Sequence, residues 1–579
     1  NRERALTTML RAVANAGGDP EATFLPAMVL VNAGELTGAR DLLELAVRAQ
    51  PDAPLALQKL AEVQEALEDF ANEEDTLNRL LALKPSAGQA RMMLLHALDK
   101  QNKHAEANAA ARKMQPEQIP PRTASSFVNA CAKVADYETL RAAGSVYDIM
   151  GKAAPDRLAS QLGLYAVRAQ TRSDEDVGAY VQLQRTWCQH MEQQAQAAPL
   201  DGRPRAPRER IRLGLFGLSN IPALRSLITP VLGQLDGDRF ERVLAFSSSK
   251  NALPQQERDR IANACDEFHE LSAADDHQLA SDLAGLDLDV LIDLNGLQQP
   301  GTRVGALAWR PAGVQMTWAG TPSSCPLRPL DYQILDPVLA PDDPDYQTDT
   351  PLMMPQSWVC FGDMPDFELA GTLPSAANGY VTFGVNGPPD KFNEDTIAQW
   401  ARILHEMPGA RLLFLNPQYG QALIRDNVGA LFEKHGVGER IDFNGEKAPQ
   451  RRHMLNYNNV DVLLDNHPLC GGIGLLEALH MGVPAVTLKG KVIQHRLGAS
   501  QLTTAGLSDL CTEDWDTYVA RAVDVAQDAE RRRALRGSLR DTMRASSFVN
   551  LDKFIGEFQE KMLEVAGGAT GDAERSATG

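Results

Sequence analysis

The sequence has few cysteines, and none of them forms a Cys-x-x-Cys pair. Only seven occur in 579 residues. They are Cys131, Cys188, Cys265, Cys325, Cys360, Cys470 and Cys511. The missing pair excludes the usual thiolate zinc sites and thioredoxin-like motifs, and a sparse, odd set is typical of a reducing compartment. We therefore predict a cytoplasmic protein without a thiolate zinc site.

Long apolar runs and an excess of positive charge are also missing. The first residues, NRERALTTML, contain no stretch long enough for a signal peptide or a membrane span. The net charge is −19, so the chain lacks the basic excess that nucleic acid or an anionic membrane attracts. The content of 44% hydrophobic and 23% charged residues is typical of globular domains.

The first part of the chain is predicted to form helical repeats. Pro51 and Pro85 lie 34 residues apart, each after a helix-like run, and a third copy with a shorter period ends at Pro116. A 34-residue period closed by proline is typical of tetratricopeptide repeats, which stack into an α-solenoid. We predict such repeats over 1–120 and further helices over 121–195; a helical domain without repeats is the alternative.

The sequence pattern changes after a proline-rich linker, 196–209. Short apolar runs then alternate with helix-like stretches, which predicts parallel sheets covered on both faces. The runs are IRLGLFG, RVLAFSSS, LDVLIDLNG and VQMTWAG, then GYVTFGVN, ARLLFLN, ERIDFNG, VDVLLDN and PAVTLKG. We predict two Rossmann-like halves, 210–370 and 371–545, with a ligand cleft at the carboxyl ends of their strands. A C-terminal helix and a disordered tail are predicted over 546–579.

A glycine-rich turn follows the predicted strand VDVLLDN. Gly471, Gly472 and Gly474 flank Ile473 where an amphipathic helix begins, and free N–H groups at such a position favour phosphate. Glu477, placed in the first turn of that helix, is suited to accept hydrogen bonds from ribose hydroxyls. The alternative is a tight strand-to-helix turn in which Glu477 is only a favourable N-terminal charge.

Several motifs resemble the O-linked N-acetylglucosamine transferase and SPINDLY family. They are DVLIDLNG, ALAWRPAGVQMTWAGTPSS and LDYQILDP in the first half, and DVLLDNHPLCGG, ALHMGVPAVTLKG and RLGASQL in the second. The resemblance covers about 210–545 and, in type, the repeat arm. It implies a GT-B fold and a transferase that inverts the anomeric carbon, uses a nucleotide-sugar as co-substrate and needs no metal ion and no cofactor.

The resemblance implies roles for four residues of the second half. Lys391, in GPPDKFNEDT, matches the lysine that contacts the donor pyrophosphate, where a cation stabilises the leaving group. His453 matches the histidine that stacks on the donor base, and Glu477 replaces an aspartate that contacts the ribose. Arg496 matches an arginine near the site. Surface positions for Lys391 and His453, and a structural role for Arg496, are the alternatives.

Other positions depart from the family pattern. Ile221 stands where the family has a histidine, GGIG replaces a His-Thr-Thr phosphate loop, and Gln450 replaces a lysine. The pattern resembles alphaproteobacterial flagellin glycosyltransferases, which carry a repeat arm and use CMP-linked nonulosonic sugars. That resemblance implies a donor with one phosphate and flagellin as the acceptor read by the repeat arm.

Four residues of the first half are weaker candidates. Asp293 and Asn295 follow the strand LDVLIDLNG, so Asp293 is a candidate general base and Asn295 a candidate sugar or acceptor contact. Both residue types are also common caps at strand ends. Ser323 and Ser324 lie in the loop TPSSCPLRP, where they are candidates to hold the donor sugar or the acceptor backbone.

Three functions therefore remain open from the sequence. The first is transfer of a CMP-activated nonulosonic sugar to Ser or Thr of flagellin. The second is ordinary protein O-glycosylation from UDP-N-acetylglucosamine or GDP-fucose. The third is a non-catalytic adaptor in which the repeat arm binds a partner and the GT-B half is degenerate, a reading that the loss of histidine at Ile221 favours.

Overall fold

The fold is taken from a computed structural model. It describes residues 20–121, 124–201, 208–217, 222–247, 255–298, 302–318, 323–362 and 364–577. The chain divides into two compact units, Asn1–Lys152 and Ala153–Gly579.

The first unit is helical, and its first six helices repeat in pairs. They are α1 (Pro20–Ala33), α2 (Leu36–Ala49), α3 (Pro54–Ala66), α4 (Phe70–Leu83), α5 (Gly88–Lys100) and α6 (His104–Ala111). Equivalent helices begin 34 residues apart, at 20, 54 and 88 and at 36, 70 and 104. The predicted solenoid of tetratricopeptide type is confirmed. The shorter period predicted for the third copy is wrong, because both helices of that copy also begin 34 residues after their equivalents.

Small and branched apolar residues at equivalent positions of the repeats form its core. Leu43, Leu77 and Ala111, each 34 residues from the next, are fully buried. Stacking is needed because one helix pair has too little apolar surface to exclude water alone. Three shorter helices complete the unit: α7 (Ala124–Ala132), α8 (Tyr137–Ala142) and α9 (Val146–Met150).

The second unit begins with helices, before its first strand. They are α10 (Ala159–Leu162), α11 (Tyr165–Arg168) and α12 (Asp174–Ala197). A reciprocal capping box between Ser173 and Asp176 starts α12, satisfying backbone N–H groups that have no helical partner. Further along, Glu192 accepts a hydrogen bond from the backbone N–H of Arg328 at 2.8 Å. The boundary between the units therefore lies before α10, whereas the sequence suggested a boundary at the linker 196–209.

The first Rossmann-like half contains a seven-stranded parallel sheet in the order β3-β2-β1-β4-β5-β6-β7. Its strands are β1 (Ile211–Phe216), β2 (Phe240–Ser247), β3 (Glu267–Leu271), β4 (Val290–Asp293), β5 (Val314–Thr317), β6 (Tyr332–Leu335) and β7 (Pro351–Met353). The helices between them are α13 (Pro222–Gln234), α14 (Gln255–Ala262) and α15 (Asp276–Gly285). Fully buried strands such as β4 and β5 explain the continuously apolar sequence.

The second half contains a six-stranded parallel sheet in the order β10-β9-β8-β11-β12-β13. Its strands are β8 (Thr382–Val385), β9 (Arg411–Phe414), β10 (Ile441–Phe443), β11 (Val462–Leu464), β12 (Ala485–Leu488) and β13 (Cys511–Thr512). The helices are α16 (Pro374–Asn378), α17 (Glu394–Glu406), α18 (Ala422–Lys434), α19 (Gln450–Leu455), α20 (Ile473–His480), α21 (Leu497–Thr504), α22 (Trp515–Gln527) and α23 (Ala529–Ala545). Two Rossmann-like halves are thus confirmed.

The last helix, α24 (Leu551–Ala577), returns to the first half. The rings of Phe554 and Phe558 lie 6.1 Å and 4.9 Å from that of Trp318, which follows β5. These aromatic contacts explain the apolar stripe of the helix. In the structure the helix runs on to Ala577, through the segment predicted to be disordered.

Neither a membrane-spanning helix nor a cluster of metal-ligating side chains occurs among the described residues. No helix in these ranges combines the length and the apolar character that crossing a bilayer requires. No group of three or more His, Cys, Asp or Glu side chains there is arranged to hold a metal ion.

Candidate nucleotide-sugar site

The glycine-rich turn lies at the carboxyl end of β11 and leads into α20. Gly471 and Gly472 have φ angles of 66° and 92°, in a region that side chains disfavour. A Cβ atom on Gly471 would lie 2.7 Å from the backbone nitrogen of Gly498, and one on Gly474 would lie 2.4 Å from Nδ2 of Asn386. Ile473 is 42% exposed. The turn therefore offers backbone N–H groups and no hydroxyl donors to an anion.

A buried carboxylate fixes this turn. Asp465 accepts hydrogen bonds from the backbone N–H of Gly471 at 2.9 Å and from the Thr487 hydroxyl at 2.7 Å. Burial raises the pKa of Asp465 to about 6, although these hydrogen bonds favour its charged form. The turn is therefore held in place before any ligand binds, which is what an anion site made of backbone groups requires.

Lys391 lies beside this turn. It ends a short 3₁₀ turn, Pro389–Lys391, that follows β8, and a Cβ atom on Gly472 would lie 4.0 Å from its Nζ. Strands β8 and β11 are neighbours in the sheet, so their carboxyl ends bring the lysine and the glycine turn together. The sequence-predicted pairing of a cation with a phosphate-binding turn is present in the geometry.

His453, on α19, and Glu477, on α20, form an ion pair. Nε2 of His453 lies 2.9 Å from Oε2 of Glu477, and the hydrogen bond to Glu477 raises the pKa of His453, against the effect of burial. The hydroxyl of Tyr457, 3.0 Å away, also contacts the Glu477 carboxylate. Glu477 is the fifth residue of α20 and not in its first turn as predicted, because the helix begins only at Ile473.

Arg496 is occupied by contacts that join the two halves. Its Nε donates to the carbonyl of Val338 at 2.8 Å, and its guanidinium forms an ion pair with Asp342 at 2.9 Å. The side chain is only 3% exposed. The structural role that the sequence left open is therefore the one that these contacts support.

Asp293 is the last residue of β4 in the first half, and Asn295 lies just beyond the strand. The Asp293 carboxylate accepts hydrogen bonds from the backbone N–H groups of Asn295 and Gly296, and burial raises its pKa to about 7. The side chain is fully buried, so an acceptor hydroxyl cannot reach it in this conformation. Asn295 packs against Gly217, where an added Cβ would lie 2.6 Å from its Nδ2. This is the capping geometry that was the alternative to a general base.

Ser323 and Ser324 are buried beneath α12 and do not face open space. Gln184 donates to the Ser323 hydroxyl at 3.3 Å and to the Ser324 carbonyl at 3.0 Å. The Ser324 hydroxyl donates to the carbonyl of Tyr346 at 3.4 Å. A direct contact with sugar or acceptor would first require these bonds to break. No local motif predicts that α12 covers the loop.

Gln450 and Ile221 are the two single residues that depart from the family pattern, and only Gln450 lies in the described part of the chain. Gln450 begins α19, one helical turn before His453. Ile221 lies outside the described residues.

Tyr165 also lies at this site, and no motif in the sequence predicts its position. Its ring, on α11, lies 5.2 Å from Nζ of Lys391, measured to the ring centroid. More than two hundred residues separate the two positions, and neither periodicity nor a local motif joins them. Only the docking of α11 on the turn Pro389–Lys391 reveals the contact.

The comparisons with known proteins agree with this geometry. The family described as Glycosyl transferase family 41 matches residues 204–364 and 372–558. The "Probable UDP-N-acetylglucosamine--peptide N-acetylglucosaminyltransferase SPINDLY" of Arabidopsis thaliana is 31% identical over 317 residues, 54% of this chain and 35% of that protein. The Arabidopsis thaliana protein named SEC, with the same description, is 25% identical over 349 residues, 57% of this chain and 34% of that protein. The chain thus spans about a third of the length of these relatives.

One solved structure has the same fold along nearly the whole chain. A mutant of the Thermobaculum terrenum O-GlcNAc transferase matches with a TM-score of 0.66 at 22% identity, covering 96% of this chain and 98% of that one. The predicted combination of tetratricopeptide-like repeats with a GT-B pair of Rossmann-like halves is confirmed.

Proposed function

The chain belongs to glycosyl transferase family 41, and from that premise we propose that it transfers a sugar from a nucleotide donor to Ser or Thr side chains of a protein. One observation carries the proposal. The Lys391 ammonium lies beside a preformed turn of backbone N–H groups at Gly472, an arrangement suited to a leaving phosphate.

The reaction we propose is a single displacement that inverts the anomeric carbon. The acceptor oxygen forms a bond to that carbon as the bond between the carbon and the donor phosphate oxygen breaks. The electron pair goes to the phosphate, where the Lys391 ammonium and the N-terminus of α20 stabilise the charge. Since Asp293 is buried in its own turn, we assign the hydroxyl proton to the leaving phosphate.

Two observations point to different donors. The GGIG turn holds no hydroxyl group, which suits a donor that leaves with a single phosphate, such as a CMP-linked nonulosonic sugar. The names of the relatives point to UDP-N-acetylglucosamine, and the retained Lys391 and His453 are compatible with it or with GDP-fucose. We propose the CMP-linked donor first, because the turn is the part of the site that we assign to the donor phosphate.

The acceptor we propose is flagellin, held by the repeat arm. Stacked 34-residue repeats present an extended surface to a partner chain. The identity of the partner rests on the resemblance to flagellin glycosyltransferases. We further propose a cytoplasmic location, in line with the seven free cysteines.

Transfer assays with purified protein test both parts of the proposal. Flagellin is incubated with CMP-, UDP- or GDP-sugars, and its intact mass is measured. We expect a mass increment of one sugar from the CMP donor, formed far more slowly but still measurably by Lys391→Ala. Transfer from UDP-N-acetylglucosamine alone would contradict the donor, and transfer to another protein but not to flagellin would contradict the acceptor. No transfer and no nucleotide binding would favour the adaptor.

A further inference from the structure

Tyr165 places an aromatic ring against the lysine of the phosphate site. Its ring centroid lies 5.2 Å from Nζ of Lys391, within the range of a cation–π contact. The Tyr165 side chain is 39% exposed. The ring therefore contacts the ammonium while part of its surface stays open.

The segment that follows Tyr165 is anchored to the second half by residues close to Lys391 and by His495. Asn393, two residues after the lysine, donates to the carbonyl of Ala169 at 3.4 Å. Arg172 binds the Asp395 carboxylate through two hydrogen bonds of 2.8 Å and 2.9 Å. The hydroxyl of Thr171 lies 2.8 Å from Nε2 of His495. These contacts hold the ring at a fixed place relative to the site.

The electrostatics of this corner favour an anion. Among the described residues Lys391 forms no ion pair with a carboxylate; it lies beside the ring of Tyr165 and the Gly472 turn, and its charge acts to lower the pKa of the buried Asp465 carboxylate. The guanidinium carbon of the fully buried Arg168 lies 5.8 Å from the centroid of the same ring. Two cations therefore lie beside one ring, an arrangement that favours the approach of an anion such as a phosphate.

We propose that Tyr165 is a positioning residue for Lys391, and that α11 forms a third wall of the donor-phosphate site beside the two Rossmann-like halves. A lysine side chain has four rotatable methylene groups and a freely turning ammonium. The ring restricts these conformations and keeps Nζ beside Gly472 before the donor arrives, which lowers the cost of aligning the charge in the transition state. The catalytic part of this inference rests on the proposed function of Lys391.

A double-mutant cycle tests the coupling between the two side chains in the full chain. Tyr165→Leu is expected to lower kcat about five- to thirty-fold, the range of a cation–π contact of about 1–2 kcal/mol. In a Lys391→Met background the same change should have no further effect. Tyr165→Phe keeps the ring and should retain kcat within about two-fold. The KM for the acceptor protein should stay the same in all variants.

Two results would overturn the positioning role. One is an equal loss of kcat from Tyr165→Leu with and without the lysine, which a general structural defect produces. The other is a Tyr165→Phe variant as impaired as Tyr165→Leu. The melting temperature of each variant separates a folding defect from either result.

A labelling experiment tests the contact without any donor. Ligand-free protein is treated briefly with acetic anhydride, and the modification of Lys391 is quantified by peptide mass spectrometry against Lys434, which is exposed on α18. Because the ring shields one side of the ammonium, Tyr165→Leu should increase labelling of Lys391 several-fold and leave Lys434 unchanged. Unchanged labelling of Lys391 would overturn the contact. If wild-type protein transfers no sugar yet shows the labelling difference, the proposed function fails and the contact stands.

Discussion

At the scale of single residues, the His453–Glu477 pair gives the site a dependence on pH. The hydrogen bond that the His453 ring donates to the Glu477 carboxylate raises the pKa of His453 above 6.5. A raised pKa means that the pair stabilises the folded site fully below the ordinary value, and that this contribution is lost as the pH rises through the raised value.

We therefore predict that the pKa of His453, measured by NMR titration of its ring, lies above 6.5. In Glu477→Gln it should fall, because the amide removes the negative charge that favours the imidazolium. His190, half-buried on α12, serves as a reference ring that should not respond. A His453 pKa that is the same in both proteins would contradict the ion pair.

At the scale of elements, the turn between β11 and α20 depends on glycine. Gly472 combines a φ of 92° with a ψ of −168°, a conformation essentially restricted to glycine and costing other residues about 1–3 kcal/mol. A side chain there would also point toward Lys391.

Gly472→Ala should therefore weaken nucleotide binding while the protein remains folded. We expect a melting temperature a few degrees lower and nucleotide affinity reduced at least ten-fold by calorimetry, since 1.4 kcal/mol corresponds to one order of magnitude. Gly429→Ala on α18 is the matched control, because a Cβ there meets nothing within 4 Å. Wild-type affinity in Gly472→Ala would remove the turn from the site.

A buried glutamate on α4 of the repeat arm occupies a position that is alanine in the neighbouring repeats. Glu73 lies 34 residues after Ala39 and 34 before Ala107, and all three are buried. Both carboxyl oxygens of Glu73 have no hydrogen-bond partner, and burial raises its pKa to about 8. The folded form therefore favours the protonated acid, and stability is lost as the pH rises toward 8.

Glu73→Ala, which restores the residue of the neighbouring repeats, should stabilise the arm by about 1–3 kcal/mol near neutral pH. It should also flatten the dependence of the melting temperature on pH between about 4.5 and 8. Glu74→Ala, next in sequence but ion-paired with Lys103 at the surface, is the control and should not stabilise. A lower melting temperature for Glu73→Ala at pH 7 would contradict this prediction.

The elements differ in how far the sequence predicts them. Buried strands such as β4 and β11 give uninterrupted apolar runs, so both sheets could be anticipated. The edge strand β3 is charged and partly exposed, with the sequence EFHEL, and carries no such signal. The burial of Ser323 and Asp293 is not predictable for a related reason. The sequence shows where the strands end, but not that α12 covers Ser323 or that its own turn covers Asp293.

At the scale of the whole chain, the composition of the linker was a poor guide to the unit boundary. Proline and charge mark 196–209, yet the compact units divide at Lys152 and Ala153. The reason is that α12 shows ordinary helical periodicity, and its docking on the loop around Ser324 and Arg328 is a long-range contact. The contact between Tyr165 and Lys391 is long-range as well, so the sequence does not predict it.

A truncation experiment follows from that boundary. A chain starting at Ala153 should fold and bind nucleotide, since it keeps α10 to α12. A chain starting at Arg210 should aggregate or lose nucleotide binding, because the loop around Ser324 and the Lys391 corner lose their cover. Circular dichroism and nucleotide titration distinguish the two. Equal behaviour of both chains would contradict the assignment of these helices to the second unit.

The most direct test of the nucleotide-sugar site is the shift in melting temperature caused by CMP, UDP and GDP. A nucleotide at one hundred times its Kd stabilises the protein by about 2.7 kcal/mol. We predict a clear upward shift with at least one nucleotide, CMP above the others, that Lys391→Ala abolishes and Lys434→Ala preserves. No shift with any of the three nucleotides, or the same shift in Lys391→Ala, would contradict a phosphate site formed by Lys391 and the glycine turn.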